Sequence, residues 1–207
     1  MSKVGELDRV ADDQSQLDVQ GIALEHMNAL QAVLNRVDLA SIERIVERLR
    51  FARDTAATVY VAGNGGSAAT ASHWVNDLGK ATKRSGRAPM RVMCLSDNAS
   101  WLTALANDDG YDEVFSGQLD NFAREDDLLV AISASGNSPN LVRAVEVARR
   151  RGAVTIGLLG FDGGVLKDRV SESVCVSTEK GAYELVEDAH SVICHILTGC
   201  LAQDRPA

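Results

Sequence analysis

Two short loops rich in glycine and serine have the composition of an anion-binding site. Residues 63–67 read GNGGS, between an apolar run and a helical pattern. Residues 133–138 read SASGNS, and Pro139 then suits the first turn of a helix. Glycines let a backbone approach a ligand closely, and the free amides at a helix N-terminus favour negative charge. Both loops therefore predict an anion site, and the hydroxyls of the second loop favour a phosphate.

Candidate acid–base residues lie at helical spacing after the first loop. His73 and Asp77 are four residues apart, so they share one face of the helix that begins at this loop. That spacing puts them two to three turns from the predicted phosphate. A surface His–Asp pair is the structural alternative.

Two further histidines belong to the last helical pattern of the chain. His190 and His195 are five residues apart, so they point to different faces and cannot both reach one site. Periodicity pairs His195 with Asp188 as readily as with Glu187, so the carboxylate partner stays open at this point.

Five short, nearly continuous apolar runs alternate with helical segments between residues 58 and 177. Such runs are typical of strands buried on both faces of a parallel sheet, and the intervening segments are long enough for crossover helices. Ligands bind such sheets at the carboxyl ends of the strands, where both loops fall. Two amphipathic helices precede the sheet as a hairpin, and part of their apolar surface suits a subunit contact. The predicted strands are residues 58–63, 90–95, 127–133, 153–160 and 173–177.

Composition indicates a soluble globular chain. It has 207 residues, 45% of them hydrophobic and 24% charged, and a formal net charge of −8, which argues against general nucleic-acid binding. The polar residues 1–16 predict a disordered tail and lack the apolar core of a signal peptide, and no apolar run is expected to span a membrane. The prediction is therefore one domain over residues 17–207 in the cytoplasm. The cysteines at 94, 175, 194 and 200 show no C-x-x-C pairing and predict free thiols.

Four stretches in this order and spacing resemble the sugar isomerase (SIS) domain family. They are GNGGSAATASHWVNDLGK, LSDNASWLTALANDDGYDEVFS, SASGNSPNLVRAVEVARRRG and VEDAHSVICHIL. The resemblance covers roughly residues 20–203, and its histidine positions are most similar to the phosphoheptose isomerases. It implies a flavodoxin-like α/β three-layer sandwich with a five-stranded parallel sheet. It also implies a homotetramer with active sites at subunit interfaces and a phosphorylated sugar as substrate.

The resemblance also implies roles for individual residues. His195 matches the catalytic histidine, Asp77 stands at the position of the catalytic glutamate, and Glu187 stands where a glutamine is usual. His73 matches a metal ligand of the family, and the position of Asp77 is also a metal ligand in some members. With Glu187 and His195 they form the candidate metal site, and zinc is the candidate metal. Candidate substrate-binding residues are Asn64, Gly65, Gly66, Ser67, Asp77, Asn107, Asp108, Ser133, Ala134, Ser135, Ser138 and Glu187.

Three departures from the family pattern bear on the chemistry. Asp77 in place of glutamate shortens the expected base by one methylene, and Glu187 in place of glutamine adds a carboxylate. Ala134 stands where a threonine is usual. Two histidines and two carboxylates would form a better divalent-metal site than the usual set.

The resemblance implies an aldose–ketose isomerase that works through an enediol. Its expected reaction converts sedoheptulose 7-phosphate, or a close analogue, to D-glycero-D-manno-heptose 7-phosphate. The alternative is a non-catalytic SIS module that binds a sugar phosphate or a protein such as a replication initiator. A dinucleotide-binding domain is a weaker alternative, because 63–68 fits G-x-G-x-x-A but no acidic residue ends a strand about 20 residues on.

Overall fold

A computed structural model describes residues 17–85 and 87–204 of the chain. Its centre is one five-stranded parallel sheet in the order β2-β1-β3-β4-β5. The predicted tail over residues 1–16 lies outside the described residues. The strand order is that of flavodoxin-like folds, so the predicted fold class is confirmed. The strands are β1 (Thr58–Gly63), β2 (Arg91–Cys94), β3 (Leu128–Ser133), β4 (Val154–Gly160) and β5 (Glu172–Val176).

Helices cover both faces of this sheet. The first face packs against the N-terminal hairpin, the helix after β1 and the last helix, and the second face packs against the remaining helices. The helices are α1 (Val19–Leu34), α2 (Leu39–Asp54), α3 (Gly66–Ala81), α4 (Ala99–Asp108), α5 (Ser116–Phe122), α6 (Pro139–Arg150) and α7 (Tyr183–Gln203). Three 3-10 turns occur at Thr82–Ser85, Tyr111–Glu113 and Val165–Asp168.

The alternation of side chains along the strands divides the core into two layers. On β3, Leu128 and Val130 pack toward α2, α3 and α7, whereas Leu129 and Ala131 pack toward α5 and α6. All six residues of β3 are buried. A continuously apolar run is therefore required here, because both faces of the central strand lie in the interior.

Of the two helices in the N-terminal hairpin, α2 contributes most of the residues buried in this core. Helix α2 buries Ile45 and Leu49 completely, whereas Val33 is the buried residue of α1. Residues 17–27, which lead into α1 and form its first turns, instead expose a row of large apolar side chains. They are Leu17, Val19, Ile22, Leu24 and Met27, each more than half exposed.

Helix α7 is the long core helix of the first layer. Its segment Tyr183–Ala202, with a mean hydropathy of 1.2, matches a membrane span by length and composition alone. It packs against α3, α1 and α2. Its last turn is held by Asp204, whose carboxylate lies 3.0 Å from the buried Arg53 and 2.7 Å from Arg50. The apolar character of α7 is thus accounted for by burial in the protein core.

The four cysteines are free thiols, as expected, with Cys94 and Cys194 buried. Burial raises the pKa of Cys94 to about 11, so this thiol stays protonated at neutral pH.

Buried His190 on α7 should make the fold sensitive to acid. Burial lowers its pKa to about 4, against 6.5 for an exposed histidine. Between those values the unfolded chain binds a proton that the folded chain excludes, so the free energy of unfolding falls as pH drops from 6.5 towards 4. The difference amounts to about 3 kcal/mol at the acid end.

The His190→Leu variant should lose less stability over this pH range than the unsubstituted chain. Urea unfolding at pH 7, 5.5 and 4.5 measures the two slopes. Parallel slopes for the two proteins would contradict the assignment to His190.

Candidate active site

The two predicted anion loops lie side by side at the carboxyl edge of the sheet. Strands β1 and β3 are neighbours, with Gly63 paired to Ile132, so the loops that follow them start at the same level. Between them is a cavity of about 200 Å³. The predicted site residues that line it are Asn64, Ser67, Ser133, Ala134, Ser135, Ser138 and Glu187, together with Ile132 and Tyr183.

The serine loop is shaped by its own hydrogen bonds and by one close backbone approach. Ser133 Oγ accepts a bond from the Gly136 amide at 3.0 Å. Gly136 has φ +63°, and a Cβ there would lie 1.9 Å from the carbonyl oxygen of Gly163. A side chain at position 136 is therefore excluded by both backbone conformation and space.

Ser138 occupies the N-cap position of α6. Within the described residues its hydroxyl makes no capping bond to the helix amides. The hydroxyl therefore faces the cavity with its hydrogen-bonding capacity unused by α6.

The glycine loop is held by residues that are distant in sequence. Asn64 exchanges two side-chain hydrogen bonds with Asn140 of α6, at 3.0 and 2.9 Å. The Tyr111 hydroxyl donates to Asn64 Oδ1 at 3.1 Å. Asn140 and Tyr111 were not among the predicted site residues, because the contacts depend on the tertiary fold and no local motif marks them.

Glu187 of α7 lies against the first residue of α3. An ideal Cβ on Gly66 would stand 2.3 Å from both carboxylate oxygens of Glu187. Any side chain at position 66 would displace this carboxylate. The glycine therefore makes room for an acidic group at the edge of the cavity and at the positive end of a helix.

His73, Asp77 and His195 form a second group, between α3 and α7. Asp77 Oδ2 lies 3.5 Å from His73 Nε2 and 3.5 Å from His195 Nε2. The two imidazole rings meet edge to face at 5.3 Å. The side chains of His73 and His195 are 58% and 57% exposed, so a ligand can reach both from solvent.

These three residues have the geometry of a metal-ligand set. One donor atom from each lies within 4.8 Å of the others. Cys194 lies close by, but burial, and secondarily the Asp77 carboxylate, raises the pKa of its thiol. Its sulfur is not part of the three-residue group.

Glu187 is not part of this three-residue group. It precedes His195 by eight residues, which is about 12 Å along a helix axis. The structure therefore gathers three of the four predicted ligands and places the fourth beside the serine loop.

Asn107 and Asp108 end α4 and do not line the cavity. Asn107 Nδ2 donates to Asp108 Oδ1 at 2.8 Å, and both side chains are exposed. Tyr111, three residues on, connects this segment to Asn64. His190 is fully buried and belongs neither to the cavity lining nor to the group of His73, Asp77 and His195.

Comparison with known proteins agrees with this geometry. Residues 24–160 match the sequence profile of the SIS domain. The phosphoheptose isomerase of Nitratiruptor sp. is 38% identical over 168 residues, covering 76% of this chain and 88% of that protein. The phosphoheptose isomerase of Rhodospirillum rubrum is 40% identical over 142 residues, covering 68% and 73%.

A solved structure extends the likeness to three dimensions. The phosphoheptose isomerase of Neisseria gonorrhoeae superposes with a TM-score of 0.78 at 28% identity, covering 88% of this chain and 96% of that one. With the matching profile and the sequence identities, this establishes that the chain belongs to the SIS domain family and, within it, to the phosphoheptose isomerases.

Proposed function

We propose that this protein is an aldose–ketose isomerase that converts sedoheptulose 7-phosphate, or a close analogue, to D-glycero-D-manno-heptose 7-phosphate. The observation that carries the proposal is the Asp77 carboxylate, which lies 3.5 Å from two exposed imidazoles near a phosphate-sized cavity. A carboxylate and histidines within reach of one another are the groups that a proton-transfer isomerisation needs.

The serine loop binds the phosphate in this proposal. Ser133, Ser135 and Ser138 supply hydroxyls, and the N-terminus of α6 supplies amides and a favourable dipole. Binding energy from this remote group positions the reacting carbons. Asn64, held by Asn140 and Tyr111, is oriented to receive a sugar hydroxyl.

Proton transfer is assigned to residues of α3 and α7. Asp77 or Glu187 removes a proton from the carbon next to the carbonyl, and His195 moves a proton between the sugar oxygens as the enediol forms. The same carboxylic acid returns a proton to the neighbouring carbon, which completes the isomerisation. Asp77 is the carboxylate close to His195, and Glu187 is the one that borders the cavity.

His73, Asp77 and His195 would also hold a zinc ion. Two imidazole nitrogens and one carboxylate that leave an open position match the donor set of catalytic zinc sites. When bound, zinc would act as a Lewis acid on the substrate oxygens.

Assembly into a homotetramer is part of the proposal. The exposed apolar row on α1 suits burial between copies, and the half-exposed His73 and His195 suit a site that a second copy closes.

The proposal also includes a single SIS domain over residues 17–207 and a cytoplasmic location. Free thiols suit a reducing compartment such as the cytoplasm. The binding-only alternative is not favoured, since such a module has no need of the group at His73, Asp77 and His195.

Turnover of sedoheptulose 7-phosphate should depend on His195. In an NMR assay the unsubstituted chain should form the aldose, and His195→Ala should lower kcat by about 10²–10⁴-fold because the oxygens lose their proton carrier. Its thermal unfolding should not change, since the side chain is 57% exposed. Gln203→Ala, an exposed position on the same helix, is the control. Near-normal turnover by His195→Ala would refute its role, and no turnover by the unsubstituted chain would refute the isomerase.

Zinc affinity should depend on the group of His73, Asp77 and His195 and not on Glu187. Calorimetric titration should show that His73→Ala and Asp77→Asn weaken zinc binding by more than the roughly 10–100-fold typical of an outer-shell change. Glu187→Gln should leave the affinity unchanged. An equal loss in Glu187→Gln would mean that the fourth carboxylate is a ligand after all.

Gly66→Ala should impair the enzyme through Glu187. The new methyl group would overlap the carboxylate, which can swing away at little cost in stability but then leaves the cavity. We expect kcat to fall by roughly 10²-fold, and the Gly66→Ala/Glu187→Ala pair to be no worse than Glu187→Ala alone. Gly79→Ala, on the same helix with only an ordinary 3.5 Å contact, is the control. Additive losses in the pair would contradict the mechanism.

A further inference from the structure

A second cavity lies at the opposite, amino edge of the sheet from the candidate active site. Its volume is about 460 Å³, within the range of small-molecule sites. Its floor is formed by the first residues of β1 and β2, and its wall by the end of α5 and the loop that follows. None of these residues has a role in the isomerisation described above.

Strand register determines which side chains form the floor of this amino-edge cavity. Thr58 pairs with Arg91 and Tyr60 with Met93, so these four side chains project from the same face of the sheet. Strand β2 is the edge strand, and α5 ends at Phe122. The face is therefore left open here, with Met93 37% and Phe122 38% exposed.

Asp127 supplies the one carboxylate among the residues that line this cavity, and its oxygens already accept backbone hydrogen bonds. Asp127 accepts bonds from the Thr58 amide at 2.7 Å and from the Arg124 amide at 2.9 Å, and the Tyr60 hydroxyl lies 3.5 Å away. Burial, and secondarily Asp127, raises the pKa of Tyr60, so this phenol is neutral. Asp127 thus serves the backbone at the start of β1 and β3.

Arg91 and Arg124 line the same cavity, and among the described residues neither has a carboxylate partner. Arg91 Nε donates to Thr58 Oγ1 at 3.4 Å, and within residues 17–85 and 87–204 neither Arg91 nor Arg124 makes an ion pair. Elsewhere arginines such as Arg44 and Arg50 contact carboxylates directly. In a chain of net charge −8, two arginines against the single carboxylate of Asp127 leave this cavity with a local excess of positive charge.

We infer that this cavity is a second ligand site, which binds a small organic phosphate. The phosphate lies between the guanidiniums of Arg91 and Arg124, a geometry that favours paired N–H donors to phosphate oxygens. The organic part of the ligand packs on Met93 and Phe122. The site differs from the serine loop, which offers hydroxyls and amides and no arginine.

Phenyl phosphate is the probe, and Trp101 is the reporter. The Trp101 ring lies 5.3 Å from the Phe122 ring, and Trp74 is the other tryptophan of the chain. In a Trp74→Phe background, phenyl phosphate should change Trp101 fluorescence saturably. Arg91→Gln and Arg124→Gln should each weaken binding by at least about tenfold, because each removes a charged donor.

Two matched controls and one assembly measurement complete the experiment. Arg150→Gln, an exposed arginine elsewhere, and Ser135→Ala, in the serine loop, should leave the affinity unchanged. If Trp74→Phe does not fold, calorimetry in the Ser135→Ala background measures the phenyl phosphate affinities of the same arginine variants. The inference is overturned by an absent response, by equal affinity in the arginine variants, or by a response that Ser135→Ala abolishes. It is also overturned if Arg91→Gln/Arg124→Gln changes the oligomeric state in light scattering, since the arginines would then face another copy.

Discussion

The parallel pairing of β1 with β3 is the constraint on which the rest of the site depends. The chain leaves β1 into α3 on one face of the sheet and leaves β3 into α6 on the other. A crevice must open where the two connections diverge, and ligands of doubly wound sheets bind in such crevices. The side-chain bonds between Asn64 and Asn140 join its two walls. Two loops 70 residues apart in sequence thereby become one phosphate-sized cavity.

The packing of α3 against α7 sets where the acid–base groups stand. At the carboxyl edge of the sheet, Glu187 rests on Gly66; farther along, His195 meets Asp77. The seven residues from Gly66 to His73 and the eight from Glu187 to His195 span similar lengths of helix, about 10 and 12 Å. The two helices thus present a carboxylate beside the cavity and a separate His–Asp–His group below it. The buried side chains of α7 fix this alignment by packing in the core.

Much of this arrangement is predictable from sequence, because the signals are local. Buried strands such as β3 must be continuously apolar, and glycine and serine loops at strand ends bind anions for reasons of backbone geometry. The contacts of Tyr111 and Asn140 with Asn64 have no local signal, since they depend on how distant segments pack. The joint ligand set of His73, Asp77, Glu187 and His195 came from resemblance, and helical rise separates Glu187 from the other three. The Arg91–Arg124 cavity has no sequence motif, because a strand register and a helix end create it.

Proton transfer by a carboxylate and an imidazole is the central step of the proposed isomerisation. Isomerisation of sedoheptulose 7-phosphate in D2O, followed by NMR of the aldose, tests it most directly. Carboxylic O–H protons exchange rapidly with solvent, so the proton that the carboxylate removes should be replaced by deuterium while the enediol is bound. The predicted product carries deuterium on the carbon next to its carbonyl. A product with only protium at that carbon would contradict transfer of this proton through a solvent-exchangeable acid.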